Sequence, residues 1–429
     1  MKILLSAYSC LPHAGSEPGI GWSWAEGIAR FGHQVFVITR ANKREIIEEE
    51  CRRRAIQNPQ FIFHDLSPAV QKLYKLPFGN YAYYTLWQYS AAKHAAQVHA
   101  SEQFDQVQHI TWGSFRLPSF MGKLGIPFIF GPVAGGEDTP RKLRRGLGWR
   151  GRMWDFMRRV SGVLLARTPL MSATYEQSTL IVATTHETLR QIPARHRQKV
   201  IVQQAVGMDP QSLPVAHGAN TLASDSPKRA KLNLLFVGRL LPWKGLHIAL
   251  KALAALEARR NGLHLTVVGS GSDEARLKRL AAQLSIQERI SWISWMKRED
   301  VMRIYPQFDL FLFPSLHDSG GIAVLEAMSF CLPVLCLDLG GPGISVNNSC
   351  GKVIRTEGRS EEELVTEIST YFTKLLNDPA VLEPLAKGAQ RRVASLSWQA
   401  AVNALYGPFA PSQHISEIRA VQPSAACEG

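Results

Sequence analysis

Four short segments carry side chains suited to holding an anion or a sugar hydroxyl. In FVGRLLPWKG, Arg239 and Lys244 stand five residues apart, just beyond an apolar run. Arginine forks onto two oxygens and lysine adds a mobile point charge, so this pair suits a diphosphate; on spacing alone a solvated basic loop fits equally well. In FPSLHDSGGIAVLEAMSFCLPVL, Gly320 and Gly321 permit a tight turn into a helix starting at Ile322. The first N–H groups of such a helix lack internal partners and can bind a phosphate. Asp318 precedes the turn, and Glu326 lies about one turn into the helix, where a carboxylate can accept from two neighbouring hydroxyls such as those of a ribose. Taken alone, Glu326 reads better as an ordinary exposed helical acid. Gly269 and Gly271, in a G-S-G after LTVVG, can approach a nucleotide or simply form a strand-exit turn. Glu137, after GPVAGG, is a candidate for facing an acceptor.

These segments need strands to hold them. KILLSAY, QVFVITR, FIFHDL, FDQVQHI, IPFIFG, STLIVATT and KVIVQQ read as strands in the first half, with WSWAEGIARFG, TLWQYSAAKHAAQVHA and HETLRQI as helices among them. The alternation pauses in a Pro-, Ser- and Asn-rich stretch and restarts with LNLLFVGRL, LHLTVVGSG, RISWIS, FDLFLFPS, LPVLCLDL and GKVIR. The expected fold class is α/β: two facing, Rossmann-like doubly wound domains with a cleft between them. The expected division is a first domain over 1–209, a linker over 210–230, a second domain over 231–395, a helix over 396–409 crossing back to the first domain, and a frayed tail over 410–429. Ligands of such sheets sit at the carboxyl ends of the strands, where the motifs fall.

At 429 residues the chain is long enough for two cores. With 45% hydrophobic and 20% charged residues it reads as globular, and no apolar run approaches the roughly 18 residues of a spanning helix. The opening MKILLSAYSC reads as a buried strand, not a leader. The six cysteines form no C-x-x-C pair and resemble small core residues of a reduced compartment, which points to the cytoplasm. The net charge of +14 calls for an anionic partner. Much of it gathers between Arg141 and Arg159, where Arg141, Lys142, Arg144, Arg145 and four further arginines interleave with Trp149, Trp154, Phe156 and Met157 against one acid, Asp155. That mixture suits an anionic membrane surface, and equally a solvated helix face with core-facing aromatics. With no zinc spacing or RNA-stacking motif, nucleic acid is not expected as a partner.

Together the paired segments FVGRLLPWKG and HDSGGIAVLEAMSFCLPVL resemble the Arg/Lys and E-x7-E motifs of the family 4 retaining glycosyltransferases, which have the GT-B fold. GSEPGIGW, GHQVFVITR, HITWGS and GMD fall in that family's order and approximate spacing, so the resemblance covers nearly the whole chain. With GPVAGGE it points to a bacterial branch that assembles exopolysaccharide, capsule or lipopolysaccharide. The resemblance implies a retaining hexosyltransferase with a nucleotide-diphosphate sugar as donor and no other cofactor. Arg239 and Lys244 would bind the diphosphate, Glu326 the ribose, His109 the donor sugar from the first domain, and Gly15 would sit in the loop over donor and acceptor. Asp318 takes the place of the family's first glutamate, and Gly320 replaces its usual phenylalanine. No D-x-D occurs and no His/Cys cluster has metal spacing, so a metal-independent reaction is expected. The expected acceptor is a glycan or a polyprenyl-diphosphate-linked oligosaccharide at the inner membrane face; a non-catalytic nucleotide-sugar binder or a GT-B epimerase is the alternative.

Overall fold

A computed structural model describes residues 1–209, 231–256 and 262–407. The expected linker at 210–230 and tail at 410–429 lie outside these, as does Cys427.

Among the described residues thirteen strands form two sheets, and every pairing is parallel. The first contains β1 (Lys2–Ser6), β2 (Gln34–Thr39), β3 (Gln60–Phe63), β4 (Gln106–His109), β5 (Phe128–Val133), β6 (Leu180–Ala183) and β7 (Val200–Val202), in the order β3-β2-β1-β4-β5-β6-β7. The second contains β8 (Leu232–Val237), β9 (Leu263–Val268), β10 (Ile290–Ile293), β11 (Leu310–Phe313), β12 (Val334–Leu337) and β13 (Gly351–Ile354), in the order β10-β9-β8-β11-β12-β13. Each strand coincides with one of the thirteen apolar runs.

Such runs are continuous because a parallel sheet is buried on both faces. In β1, Ile3 and Leu5 join one cluster with Trp22, Trp24 and Ile28, while Leu4 points into another with Tyr84, Trp87 and Phe130. The second sheet packs Leu234, Phe236, Leu265 and Leu312 against Leu250, Leu364 and Phe372 of its helices. The strand order reverses between β1 and β4 in one sheet and between β8 and β11 in the other, which opens a crevice at the carboxyl ends of those strands.

The chain divides into two compact units, and the division departs from the expected boundary. Residues 1–136 and 160–206 form the first together with the helix Trp398–Tyr406. Glu137–Arg159 belongs to the second unit, not to the domain of 1–209, because Leu143 and Leu147 are buried in that unit's core. Among the described residues, the five cysteines are free and no helix is long and apolar enough to cross a membrane.

Candidate functional site

The second unit concentrates charge at its switch point. The loop leaving β8 carries Arg239 and Lys244, and the loop leaving the adjacent β11 carries His317 and Asp318. The loops are tied together: the Leu316 N–H donates to the Trp243 carbonyl at 2.8 Å, and the Trp243 and His317 rings stack at 5.1 Å. The Lys244 ammonium donates to Asp318 Oδ2 and lies 4.8 Å from the centre of the Phe313 ring. Asp318 Oδ1 accepts from the Gly320 and Gly321 N–H groups at 3.2 and 2.9 Å. Burial alone would raise the Asp318 carboxyl, but Lys244 and the two backbone donors outweigh it and hold the group below the usual carboxylate range. Burial, with the Arg158 and Lys244 charges, pushes the His317 imidazole down to about 3 despite Asp318, so this ring is neutral at physiological pH.

Gly321 has φ 60°, a left-handed conformation that turns the chain into the helix Ile322–Ser329. Its own N–H and that of Gly320 already serve Asp318, so the amides left for an anion are those of Ile322 and Ala323, which meet no acceptor among the described residues. Arg239 is exposed, and no side-chain partner for it is seen among the described residues. One exposed cation, one half-satisfied cation and a helix start therefore follow the carboxyl ends of two adjacent strands.

Glu326 is not the exposed helical acid that its position taken alone favours. It is buried, its Oε1 accepts from Arg298 Nη2 at 2.7 Å and Nε at 3.1 Å, and its Oε2 lies 3.4 Å from the Tyr305 hydroxyl. Burial nevertheless holds its carboxyl above the usual range. Arg298 opens the helix after β10 and carries no local signature; Trp243 and His317, by contrast, immediately precede Lys244 and Asp318, and their aromatic character is visible in the sequence. The G-S-G loop serves the Arg239 loop directly. A Cβ at Gly269 would stand 2.0 Å from the Gly238 carbonyl oxygen, and one at Gly271 would stand 2.2 Å from that of Leu240. Both glycines thus have a packing reason to exist.

The first unit's switch point is of another kind. His109 ends β4 but is fully buried, with Nε2 3.2 Å from the Tyr84 hydroxyl, so this structure does not present it to a sugar. Burial pushes its imidazole down to about 3. Gly15 is exposed and caps the helix Ser16–Arg30, which begins six residues before the expected WSWAEG start. Beside it, within GSEPGIGW, Glu17 accepts from the Trp112 N–H at 2.9 Å, and burial pushes its carboxyl up to about 7.

Two acceptor-side expectations are corrected. Glu137 is buried, with its carbonyl accepting from Arg158, and does not face an open loop. Arg144 turns inward, 2.8 Å from Asp138 and 3.4 Å from Asp155, while Arg141, Lys142 and Arg145 remain exposed. Among the described residues no group of three or more His, Cys, Asp or Glu side chains is arranged to hold a metal ion.

Residues 222–392 match the protein-family model described as Glycosyl transferases group 1. Over 212 residues the chain is 31% identical to D-inositol 3-phosphate glycosyltransferase of Rhodococcus jostii, an alignment covering 45% of this chain and 46% of that protein. The chain thus spans about half the length of the curated relatives it matches. Solved structures match over nearly their full length: WaaG, a glycosyltransferase involved in lipopolysaccharide biosynthesis (20% identical, TM-score 0.54, 93% of this chain and 98% of that one), and Anabaena HepE in complex with UDP-glucose (16%, 0.54, 98% and 99%). The two parallel sheets and their helices have the GT-B architecture of these glycosyltransferases.

Proposed function

We propose that this chain transfers a hexosyl group from a nucleotide-diphosphate sugar to a surface glycan under assembly, with the donor diphosphate at the carboxyl ends of β8 and β11. The observation that carries the reading is the Lys244–Asp318 pair beside the start of the helix Ile322–Ser329 and the exposed Arg239. The group 1 match over this unit, and a UDP-glucose complex of a structural neighbour, support the same reading.

Transfer breaks the bond between the anomeric carbon and the donor phosphate oxygen, and negative charge grows on the departing diphosphate. Preorganised donors aimed at that charge stabilise the transition state most effectively. Arg239, Lys244 and the Ile322 and Ala323 amides fill this role, which is the ground for proposing a reaction that needs no metal. Lys244 swings from Asp318 to the diphosphate, and the Gly320 and Gly321 amides hold the carboxylate it leaves. The acceptor hydroxyl oxygen attacks the anomeric carbon from the face the phosphate departs, and its proton passes to the leaving phosphate oxygen, giving retention. Glu326, held by Arg298, takes the ribose hydroxyls. The acceptor is a glycan, carried on a polyprenyl diphosphate at the cytoplasmic face of the membrane, consistent with the outward cations Arg141, Lys142 and Arg145.

A thermal-shift screen against UDP, GDP, ADP and their sugar conjugates tests the donor site. One nucleotide should raise the melting temperature of the protein, with and without EDTA, and the rise should vanish in Lys244→Ala. No rise with any nucleotide would defeat the reading, and a rise abolished by EDTA would defeat its metal-free form.

A further inference from the structure

The helix Gly148–Leu165 is built inside out. At about 100° per residue, Trp149, Met153, Phe156, Met157, Val160 and Leu164 fall on one stripe. That stripe faces outward, each of its side chains being 41–65% exposed. The opposite face carries Gly151, Asp155, Arg158 and Gly162, and it is this polar face that turns inward. A Cβ at Gly151 would come within 3.0 Å of Pro242, Arg158 donates to the Glu137 carbonyl, and Asp155 is buried with Arg144 at 3.4 Å and Arg159 at 3.6 Å. A helix whose outer face meets water has the reverse pattern.

The charge around the stripe indicates what covers it. Arg150 and Arg152 flank it on opposite sides and are exposed. At the helix start, Arg141, Lys142, Arg145 and Lys251 line a cavity of about 580 Å3 together with Glu361 and Glu362, the first of which pairs with Lys251 at 2.6 Å, and Gly148 borders one of about 340 Å3 where Arg276 and Arg279 stand without an acid among the described lining residues. A second copy of the same helix would bring these cations against each other. An anionic bilayer instead offers acyl chains to the stripe and phosphates to the arginines, whose long stems reach the headgroups from a helix lying flat.

We infer that the outer face of Gly148–Leu165 lies in the interface of an anionic phospholipid bilayer, the stripe at the acyl boundary and Arg150 and Arg152 on lipid phosphates, with the Arg276–Arg279 cavity at its start taking a further headgroup. The inference deepens the proposed function, since it gives the membrane-side acceptor a place, but the binding itself does not depend on sugar transfer. Because the inner face of the helix abuts the Arg239–Lys244 loop through Pro242, docking sets the second unit's crevice at a fixed height above the lipid.

Flotation of the full chain with vesicles of phosphatidylglycerol and phosphatidylcholine, against vesicles of phosphatidylcholine alone, tests this. At least a tenfold preference for the anionic vesicles is expected, weakening as salt rises. Trp149→Ser/Phe156→Ser/Leu164→Ser should lose binding at least tenfold with an unchanged melting temperature, and Arg150→Glu/Arg152→Glu should lose the salt-sensitive part. Equal recovery with both vesicle types, or no recovery, would overturn the inference. So would a triple variant that still floats, or one that merely converts a dimer to a monomer in light scattering, which would assign the stripe to a second copy. A nucleotide-induced thermal shift that persists when flotation fails would leave the donor site standing while removing this surface.

Discussion

The two switch points share a topology and differ in electrostatics. At the second sheet, Asp318 is kept ionised by Lys244 and two backbone donors, and an exposed arginine stands in the loop leaving the adjacent strand. At the first sheet, burial drives both titratable groups toward their neutral forms, Glu17 upward and His109 downward. In the proposed reaction, the second sheet's crevice would take up the negative charge that grows on the leaving diphosphate. The other suits uncharged hydroxyls, for which a fixed charge would add only a desolvation cost. The same strand order therefore delivers opposite chemistry, because the loop leaving each strand is free to vary while the strand end is not.

The comparison is broken most forcefully at Lys244. Lys244→Ala should reduce transfer from the nucleotide sugar by about a hundredfold to a thousandfold, the scale seen when one preorganised donor is removed; it also leaves the largely buried Asp318 carboxylate with only its two backbone donors, so urea unfolding should show a loss of about 2 kcal/mol alongside the loss of turnover. An equal loss on replacing Glu17 would mean that both crevices handle charge, and the contrast would fall. Next in size is Arg298→Ala, which leaves the buried Glu326 carboxylate with a distant hydroxyl. Breaking a fully buried pair costs about 3–5 kcal/mol, and since Arg298 is half-exposed about 2 kcal/mol is expected here, measured by urea unfolding. Arg298→Ala/Glu326→Gln should recover most of it.

The smallest effects sharpen the contrast by their sign. Glu17 has a folded pKa above its unfolded one, so its stabilising contribution is present below about pH 4.5 and declines as pH rises to about 7. His109 has a folded pKa below its unfolded one, so its contribution is complete above about pH 6.5 and declines as pH falls toward 3. Between about pH 4.5 and 6.5 the two slopes oppose each other. Relative to the parent protein, Glu17→Gln should make stability rise more steeply with pH across that window, and His109→Gln less steeply, both read from urea midpoints. Parallel curves for all three proteins would show that burial does not neutralise this crevice.

The strands are legible in the sequence because each is a short continuous apolar run ended by Gly, Pro or a polar residue, and both sheets bury both faces. The Arg239, Lys244 and Gly321 positions stand out for a related reason: a parallel strand end is where a ligand loop must begin. The features that escape are long-range. Asp318 falls in a strand-exit loop, yet nothing local shows that Lys244, 74 residues earlier, holds it. Glu326 looks exposed because its partner Arg298 lies on another helix. The family resemblance gives His109 a sugar contact, whereas the Tyr84 ring closes over it from a helix 25 residues earlier. Glu137–Arg159 lies between two strands of the first sheet, so sequence order gives no hint that Leu143 and Leu147 complete the other core.

The helix Trp398–Tyr406 bears on how the molecule comes into being. It comes after the second unit in the chain but supplies Val402, Leu405 and Tyr406 to the first unit's core, where Val402 lies against Gly27, Trp398 meets Trp24 at 6.4 Å, and the Tyr406 hydroxyl donates to Gln108. On the ribosome, the β1–β7 sheet must wait for a helix that lies far downstream of it. That sheet emerges with an open apolar seam along Trp24, Ile28 and Gly27 that stays uncovered while nearly two hundred further residues are translated, about ten to forty seconds at roughly 5–20 residues per second. A stop codon before Trp398 would leave both sheets intact in sequence and the earlier one without Val402, Leu405 and Tyr406 to seal it.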